Sequence, residues 1–173
     1  NDSLPKAINY RINAGKLPAD HWTQDPKVGG GRIIGEACHF IDLLRFLCGS
    51  KIKHYNIVNM GPIDTDTVSI QLTFENQSIG TIHYFANGNR KLSKERLEIF
   101  SDGKIILLDN FKKLRTHGIS RLPQLLSNKQ DKGQKDCVKA FVNSIKNGLD
   151  SPIHVDEIFE VSETAIQLNQ LIL

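Results

Sequence analysis

Apolar residues recur with two different periods along the chain, and these periods predict its elements. Residues Tyr10–Asn13 alternate between apolar and polar side chains, which predicts a strand that ends at Ala14 and Gly15. Between positions 36 and 48, apolar residues recur at helical spacing and predict a buried helix. Gly49 suits the residue that follows the C-terminal end of such a helix.

Strand patterns fill the middle of the chain. Apolar positions alternate over 68–74, and a short polar turn leads to a partner strand at 79–86, which predicts a hairpin. A second hairpin joins 97–100 to 104–108, and residues 111–116 form another short strand. The second face of these strands carries mainly polar residues. That face is therefore either solvated or paired with another subunit.

Two helices are predicted at the end of the chain. The first has an apolar stripe that stops before Gly148, made of Cys137, Val138, Phe141, Val142 and Ile145. The second has a stripe made of Ile158, Val161, Ala165, Leu168 and Ile172. The connecting segments 15–31 and 117–132 are predicted loops. This order of elements predicts an α+β fold, an open and mainly antiparallel sheet with helices packed on one face.

Composition agrees with a single globular domain of 173 residues, since 39% of the residues are hydrophobic and 24% are charged. The net charge of +3 comes from 22 basic and 19 acidic residues that are interleaved, so we expect no nucleic-acid partner. No apolar run approaches the roughly 18 residues of a membrane helix, and the N-terminus has no signal-peptide core. We therefore expect no membrane association.

Three cysteines, Cys38, Cys48 and Cys137, lie among apolar residues. Their odd number and the absence of a CxxC pair predict small buried side chains in a reducing compartment, and hence a cytoplasmic protein. Because the first residue is not Met, we expect the chain to be part of something longer.

The glycine run at 29–31, followed by Gly35, does not predict a dinucleotide-binding loop. The GxGxxG spacing would need glycine where Ile34 stands, and no strand pattern leads into the run. Its predicted use is to let the backbone approach a ligand closely. Glu36 and His39 form one ExxH pair, whereas a di-metal site needs two such pairs and two further carboxylates. We therefore predict no metal.

Four positions remain open to two interpretations. His39 and Asp42 share one helical face, so His39 is either a satisfied core histidine or an acid/base group that Asp42 orients. Arg11 and Asn13 point the same way from the first strand and either bind a ligand or form a polar strand face. Trp22 either stacks on a sugar ring or anchors its loop.

The segment from Gly29 to Leu44, with a glycine run, an apolar stretch and then His39-x-x-Asp42, resembles the C-terminal domain of the Gfo/Idh/MocA oxidoreductases. This family includes glucose–fructose oxidoreductase and inositol dehydrogenase. The likeness continues in Asp109-Asn110-Phe111, in Asp131-Lys132-Gly133 and in Pro152-Ile153, so it extends over essentially the whole chain.

The resemblance implies that residues 1–173 are a single C-terminal domain for substrate binding and oligomerisation. Family members carry an N-terminal Rossmann domain with GxGxxG and a Glu-Lys-Pro segment, and neither motif is present here. NAD or NADP would be bound mainly by that absent domain, so we expect no cofactor on this chain and no activity from it alone. The outer face of the sheet is the implied homo-oligomer contact.

By resemblance, His39 is the general acid/base or proton relay while a hydride moves between a carbinol carbon and NAD(P). Asp42 orients His39. The candidate substrate-binding residues are Arg11, Asn13, Trp22, Arg32 and Glu36. Many family members carry Asp where this chain has Gly35. This difference leaves room for oxidation coupled to elimination or epimerisation.

The resemblance also implies the substrate class, because some relatives belong to surface-polysaccharide pathways. We therefore expect a sugar, a sugar nucleotide or a cyclitol as the substrate. The alternative is a non-enzymatic module, without a Rossmann partner, that dimerises or binds a sugar ligand. The loss of the acid at Gly35 keeps this alternative open.

Overall fold

One eight-stranded sheet runs through the part of the chain that the computed structural model describes, residues 4–18, 20–25, 27–61, 65–120, 125–127 and 129–172. The strands are β1 (Ala7–Asn13), β2 (Ile52–Asn59), β3 (Val68–Phe74), β4 (Ile79–Phe85), β5 (Glu95–Ser101), β6 (Lys104–Asp109), β7 (Lys113–His117) and β8 (Leu125–Leu126). The helices are α1 (Cys38–Cys48), α2 (Gln134–Asn147) and α3 (Val155–Gln170). The loop predicted for 117–132 contains β8, and its residues 121–124 and 128 lie outside the described part.

The first strand lies in the centre of the sheet, whose order is β2-β3-β4-β1-β5-β6-β7-β8. β1 pairs with β4 in parallel and with β5 in antiparallel fashion, and the other described pairings are antiparallel. The predicted α+β class, with an open and mainly antiparallel sheet, is confirmed.

Helices α1 and α3 cover one face of the sheet, which confirms the predicted layer arrangement. Alternate residues of β1 (Ile8, Tyr10 and Ile12) point into this core, together with apolar residues of both helices. Glu160 of α3 ties the elements together. Its carboxylate accepts from Arg45 Nε of α1 at 3.2 Å and from the Ile52 amide of β2 at 2.5 Å.

Strand β2 has no counterpart in the sequence prediction, and a β-bulge explains the omission. The register shifts between Ile52 and His54, which pair with Phe74 and Thr73 of β3. One extra residue therefore interrupts the alternation, so inward positions do not recur every second residue. The pattern of buried residues is consequently weaker than in β3 or β4.

The outer face of the sheet is mainly polar, as the alternation predicts. Ion pairs link neighbouring strands on this face, since Arg96 of β5 lies 3.3 Å from Asp109 of β6, which also pairs with Arg115 of β7 at 3.0 Å. Within β5, Arg96 lies 2.8 Å from Glu98. The large exposed apolar side chains of this face include Val58, Ile79 and Phe100. Ile79 and Phe100 both flank Ala7, on the strands to either side of β1.

Helix α2 buries no side chain in the described part of the chain, although the predicted helix and its end at Gly148 are confirmed. Its apolar stripe is exposed, and so is Cys137. The prediction of three buried cysteines is therefore wrong for Cys137, because no described element packs on its helix face. Cys48 is buried and Cys38 is half-buried. Among the described helices, none combines the length and the apolar composition that crossing a bilayer requires.

Candidate functional site

Residues from three connecting segments meet at the end of the sheet where β1, β4 and β6 stop, on the face covered by α1 and α3. The 14–32 segment follows β1, the 86–94 loop joins β4 to β5, and the 110–112 turn joins β6 to β7. β1, β4 and β6 run in the same direction and stop at the same end of the sheet, so the segments that follow them come together there.

The segment after β1 is held close to the chain's own backbone. A Cβ on Gly29 would lie 2.4 Å from Thr23 Cα and 2.7 Å from the Trp22 carbonyl oxygen. Glycine is therefore required at position 29, because the backbone there packs directly against the backbone of Trp22 and Thr23. The structure thus gives Gly29 a different role from the predicted close approach to a ligand.

Arg32 fixes the start of the following helix. Its side chain is 3% exposed, its Nη1 donates to the Gly15 carbonyl at 2.8 Å, and its Cζ lies 4.9 Å from the centre of the Tyr84 ring. These contacts hold the guanidinium against the inner face of β4. Arg32 is therefore an immobile positive charge at the base of the site.

A π-helical turn over Ile33–Ala37 precedes α1. Such turns are rare and occur often at functional sites. The wider turn directs Glu36 towards β4, whereas His39 on α1 is exposed. Regular α-helical spacing begins only after Ala37.

Glu36 accepts hydrogen bonds from two donors, Tyr84 and Lys94, and also faces the positive charge of Arg32. The Tyr84 hydroxyl donates to its Oε2 at 2.9 Å, Lys94 Nζ donates to the same oxygen at 3.4 Å, and Arg32 Nη2 lies 3.8 Å from Oε1. Burial raises the pKa of Glu36, but the charge of Lys94, the hydrogen bond from Tyr84 and the charge of Arg32 outweigh it. The net pKa is lower than usual, so the carboxylate stays ionised at neutral pH.

His39 and Asp42 lie on the first turns of α1, whose opposite side packs into the core through Phe40, Ile41 and Leu44. His39 is exposed and Asp42 is half-buried. Burial and the nearby Glu157 raise the pKa of Asp42, while the charges of His39 and Arg45 partly offset this rise. The exposure of His39 speaks against the alternative of a core histidine.

A second polar cluster consists of Tyr10, Glu95 and Lys132. It lies beside the cluster that Glu36 forms with Arg32, Tyr84 and Lys94. Glu95 is 2% exposed, accepts from the Tyr10 hydroxyl and forms an ion pair with Lys132. The Lys132 ammonium also lies 5.7 Å from the centre of the Phe111 ring. The ring of Phe40 connects the two clusters, at 5.3 Å from Tyr10 and 6.1 Å from Tyr84.

Burial and the interaction with Glu95 raise the pKa of the Tyr10 hydroxyl far above its usual value. Burial also raises the pKa of Tyr84, so both phenols stay protonated and act as hydrogen-bond donors. The sequence reading missed these cluster residues, namely Tyr10, Tyr84, Lys94, Glu95 and Lys132. One signal was available, since Glu95 occupies an inward position in phase with Leu97 and Ile99, where an acid is unusual.

Arg11 and Asn13 alternate with the inward residues of β1 and lie towards the opposite face from α1. Arg11 Nη1 donates to the Ser93 carbonyl at 3.2 Å, and Asn13 Nδ2 donates to the carbonyls of Asn89 and Leu92 at 2.7 and 2.9 Å. Both side chains thus hold the 86–94 loop, and the structure does not bring them together with Glu36.

Trp22 is 61% exposed and lies beside His21, with 5.9 Å between the ring centres. It lines an open cavity of about 370 Å³ with Asp20, His21, Gln24, Asp25 and Val28. Arg32 and Glu36 do not line this cavity. Among the described residues, no group of three or more His, Cys, Asp or Glu side chains could hold a metal ion.

Comparison with known protein families shows which family this chain belongs to. The family profile described as the GFO/IDH/MocA C-terminal domain matches residues 5–106, more than half of the chain. The chain belongs to this family. The Gfo/Idh/MocA match includes β1, the glycine run, α1 with His39 and Asp42, and the 86–94 loop. A comparison with curated protein sequences gave no match.

Solved structures share the fold of this Gfo/Idh/MocA domain at low sequence identity. UDP-N-acetylglucosamine 3-dehydrogenase GnnA from Acidithiobacillus ferrooxidans is 16% identical, with a TM-score of 0.76, and the alignment covers 100% of this chain and 56% of that one. Aldose-aldose oxidoreductase from Caulobacter crescentus is 15% identical, with a TM-score of 0.72 and coverages of 98% and 55%.

A further neighbour is an NAD binding oxidoreductase from Klebsiella pneumoniae. It is 14% identical, with a TM-score of 0.72 and coverages of 95% of this chain and 56% of that one. The Gfo/Idh/MocA domain described here thus spans little more than half the length of these solved neighbours.

Proposed function

We propose that the chain is the substrate-binding and catalytic-partner domain of an NAD(P)-dependent oxidoreductase acting on a sugar, a sugar nucleotide or a cyclitol. Membership of an oxidoreductase family supports this proposal, as do neighbours named as a sugar-nucleotide dehydrogenase and an aldose-aldose oxidoreductase. NAD or NADP binds mainly to an N-terminal domain outside this chain, so the chain alone is inactive. The protein acts in the cytoplasm.

The position of His39 is the observation that carries the proposal. Oxidation of a carbinol carbon removes a hydride from carbon and a proton from the hydroxyl, so the reaction needs a base. His39 is exposed at the start of a helix that is otherwise anchored in the core, and a neutral imidazole has a nitrogen that can accept a proton. His39 accepts the hydroxyl proton, and Asp42 orients His39.

Glu36 and Lys94 suit a substrate with neighbouring hydroxyl groups. The ionised Glu36 accepts a hydrogen bond, and the adjacent Lys94 donates one; the two side chains are 32% and 44% exposed. Arg32 and Tyr84 hold Glu36 from the protein side. A vicinal diol presents both the donor and the acceptor that this pair requires.

The other predicted residues have different roles in this proposal. Arg11 and Asn13 are positioning residues, because they hold the 86–94 loop that carries Lys94. Trp22 contacts an outlying part of the substrate from its own cavity. The outer sheet face, with its cross-strand ion pairs, forms the contact of a homo-oligomer.

The test compares His39→Asn with His54→Asn in the full-length protein, because His54 is also exposed but lies on β2 and not on α1. NAD(P)H absorbance would be followed with a panel of sugars, sugar nucleotides and cyclitols. We expect His39→Asn to lower kcat by about 10²–10⁴-fold and His54→Asn to leave it unchanged. An unchanged kcat in His39→Asn would remove its assigned role. Sugar binding without turnover in the unmodified protein would favour the non-enzymatic module instead.

A further inference from the structure

The ion pair between Lys132 and Glu95 depends on an acid in an unfavourable place. Glu95 is 2% exposed at an inward position of β5, where charged side chains are rare. Each of its carboxylate oxygens has a donor, since the Tyr10 hydroxyl donates to Oε2 and the Lys132 ammonium donates to Oε1. The buried carboxylate therefore holds the ammonium of Lys132 at one position.

The turn between β6 and β7 places a phenyl ring against the same ammonium in an unusual backbone conformation. Asn110 and Phe111 both have positive φ values, 52° and 54°, and the Lys112 amide donates to the Asp109 carbonyl at 3.0 Å. These are features of a type I′ turn, in which glycine is usual at the position of Phe111. The ring centre of Phe111 lies 5.7 Å from the Lys132 ammonium. Strained backbone of this kind is concentrated at functional sites.

The ammonium of Lys132 is nevertheless accessible. The side chain is 33% exposed, and among the described residues Glu95 is the one acceptor to which it donates. An ammonium group has three N–H donors, so two remain for a ligand or for water. A ligand that binds to these donors does not have to order the lysine side chain, because the protein has already done so.

The strand register places this ammonium beside the Glu36 cluster, on the same face of the sheet. Ile12 of β1 pairs with Tyr84 of β4 on one side and with Glu95 of β5 on the other. The Cα atoms of Tyr84 and Glu95 are therefore two strand spacings apart, about 10 Å. A pyranose ring with its substituents spans this distance. Within the two clusters, three cationic side chains face two carboxylates, so one positive charge is uncompensated.

Resting on the proposed function, we propose that Lys132 binds an anionic group of the substrate, while Glu36 and Lys94 bind its hydroxyl groups. The anionic group is a carboxylate on the sugar or the phosphate of a sugar nucleotide, since either one presents negatively charged oxygens to the ammonium. Glu95 and Tyr10 are positioning residues, because they are buried and act through Lys132.

The test measures binding to the full-length protein by isothermal titration calorimetry, with compounds that differ only in their charged group. Glucose would be compared with glucuronate and glucose 1-phosphate, and the galactose and N-acetylglucosamine series would be treated in the same way. We expect an anionic compound to bind at least about tenfold more tightly than its neutral counterpart. Lys132→Met should remove this preference, whereas Lys132→Arg and the control Lys139→Met should keep it.

A second variant is needed because Lys132→Met leaves the charge of Glu95 buried without its partner. Glu95→Gln/Lys132→Met removes both charges, and circular dichroism would establish that it is folded. It should bind neutral and anionic compounds equally. An anionic preference that survives in this folded variant would overturn the proposal. Equal affinity for neutral and anionic compounds in the unmodified protein, or no binding of any anionic compound, would overturn it as well.

The outcomes also distinguish the two sources of the charge and the two proposals. A preference for glucuronate would assign the carboxylate, and a preference for the sugar 1-phosphates would assign the phosphate. Anion binding through Lys132 without NAD(P)-dependent turnover would refute the oxidoreductase proposal and leave the role of Lys132 intact. Turnover of neutral sugars without any preference for anions would refute the role of Lys132 alone.

Discussion

Replacing Lys132 by Met tests how strongly the stability of the buried Tyr10–Glu95 cluster depends on the ammonium group of Lys132. Lys132 is a third exposed, but its partner Glu95 is almost completely buried. Removing one member of a buried ion pair costs about 3–5 kcal/mol, because the other charge remains without compensation. Tyr10 still donates to Glu95 in the variant, and water reaches the Lys132 side. We therefore expect a loss of about 2–3 kcal/mol.

The free energy of unfolding would be measured by urea titration at pH 7 with circular dichroism. The corresponding fall in Tm is about 5–10 °C for a chain of this length. Lys139→Met is the matched control, because Lys139 lies on α2, 3.6 Å from Asp136, and both side chains are largely exposed. Such exposed pairs contribute about 0–1 kcal/mol.

A double variant distinguishes the cost of an uncompensated charge on Glu95 from the cost of losing the packing of the Lys132 side chain. Glu95→Gln/Lys132→Met removes both charges and keeps the acceptor for Tyr10, so it should be more stable than Lys132→Met alone. The reasoning fails if Lys132→Met is no less stable than Lys139→Met. It also fails if Glu95→Gln does not recover stability in the Lys132→Met background.

Two further predictions concern Glu36 and Gly88. The pKa of Glu36 is lower in the folded chain than in the unfolded chain, so its stabilising contribution is full above its unfolded pKa of about 4.3 and is lost as pH falls through the folded value. The urea midpoints of Glu36→Gln and of the unmodified chain should therefore differ most at neutral pH, and the difference should shrink as the pH falls into the acid range; a constant difference would contradict this. A Cβ on Gly88 would lie 1.7 Å from Asn13 Oδ1, so Gly88→Ala should cost about 1–2 kcal/mol through the Asn13 hydrogen bonds to the loop. Gly35→Ala, whose Cβ would meet only the Gly29 carbonyl oxygen at 3.7 Å, is its control and should be neutral or slightly stabilising by the same urea assay.

Local patterns in the sequence predicted most elements, because strands β3 to β5 and helices α1 and α3 each bury one regular face. The pairing of strands that lie far apart in the sequence could not be predicted from such local patterns. The parallel pairing of β1 with β4 depends on residues far apart in sequence, such as Ala7 and Ile79, and no local pattern records it. β2 escaped prediction because its bulge interrupts the alternation.

The candidate site was predicted in part. Arg32 and Glu36 do lie together, and His39 and Asp42 do lie on α1. Arg11 and Asn13 do not join them, since the strand directs both towards the opposite face. Tyr84 and Lys94 could not be linked to Glu36 from the sequence, because the contact depends on the π-helical turn and on the strand order.

The central position of β1 determines when the sheet can form during synthesis. β1 leaves the ribosome before the other strands of the sheet, yet Ala7 pairs with Ile79 on one side and with Phe100 on the other. Ile8, Tyr10 and Ile12 therefore remain unburied until most of the chain has been made, and pairings of this kind form slowly. The two halves of the sheet, β2-β3-β4 and β5-β6-β7, can each form by pairing of strands that are consecutive in the sequence. They join only when β1 inserts between them.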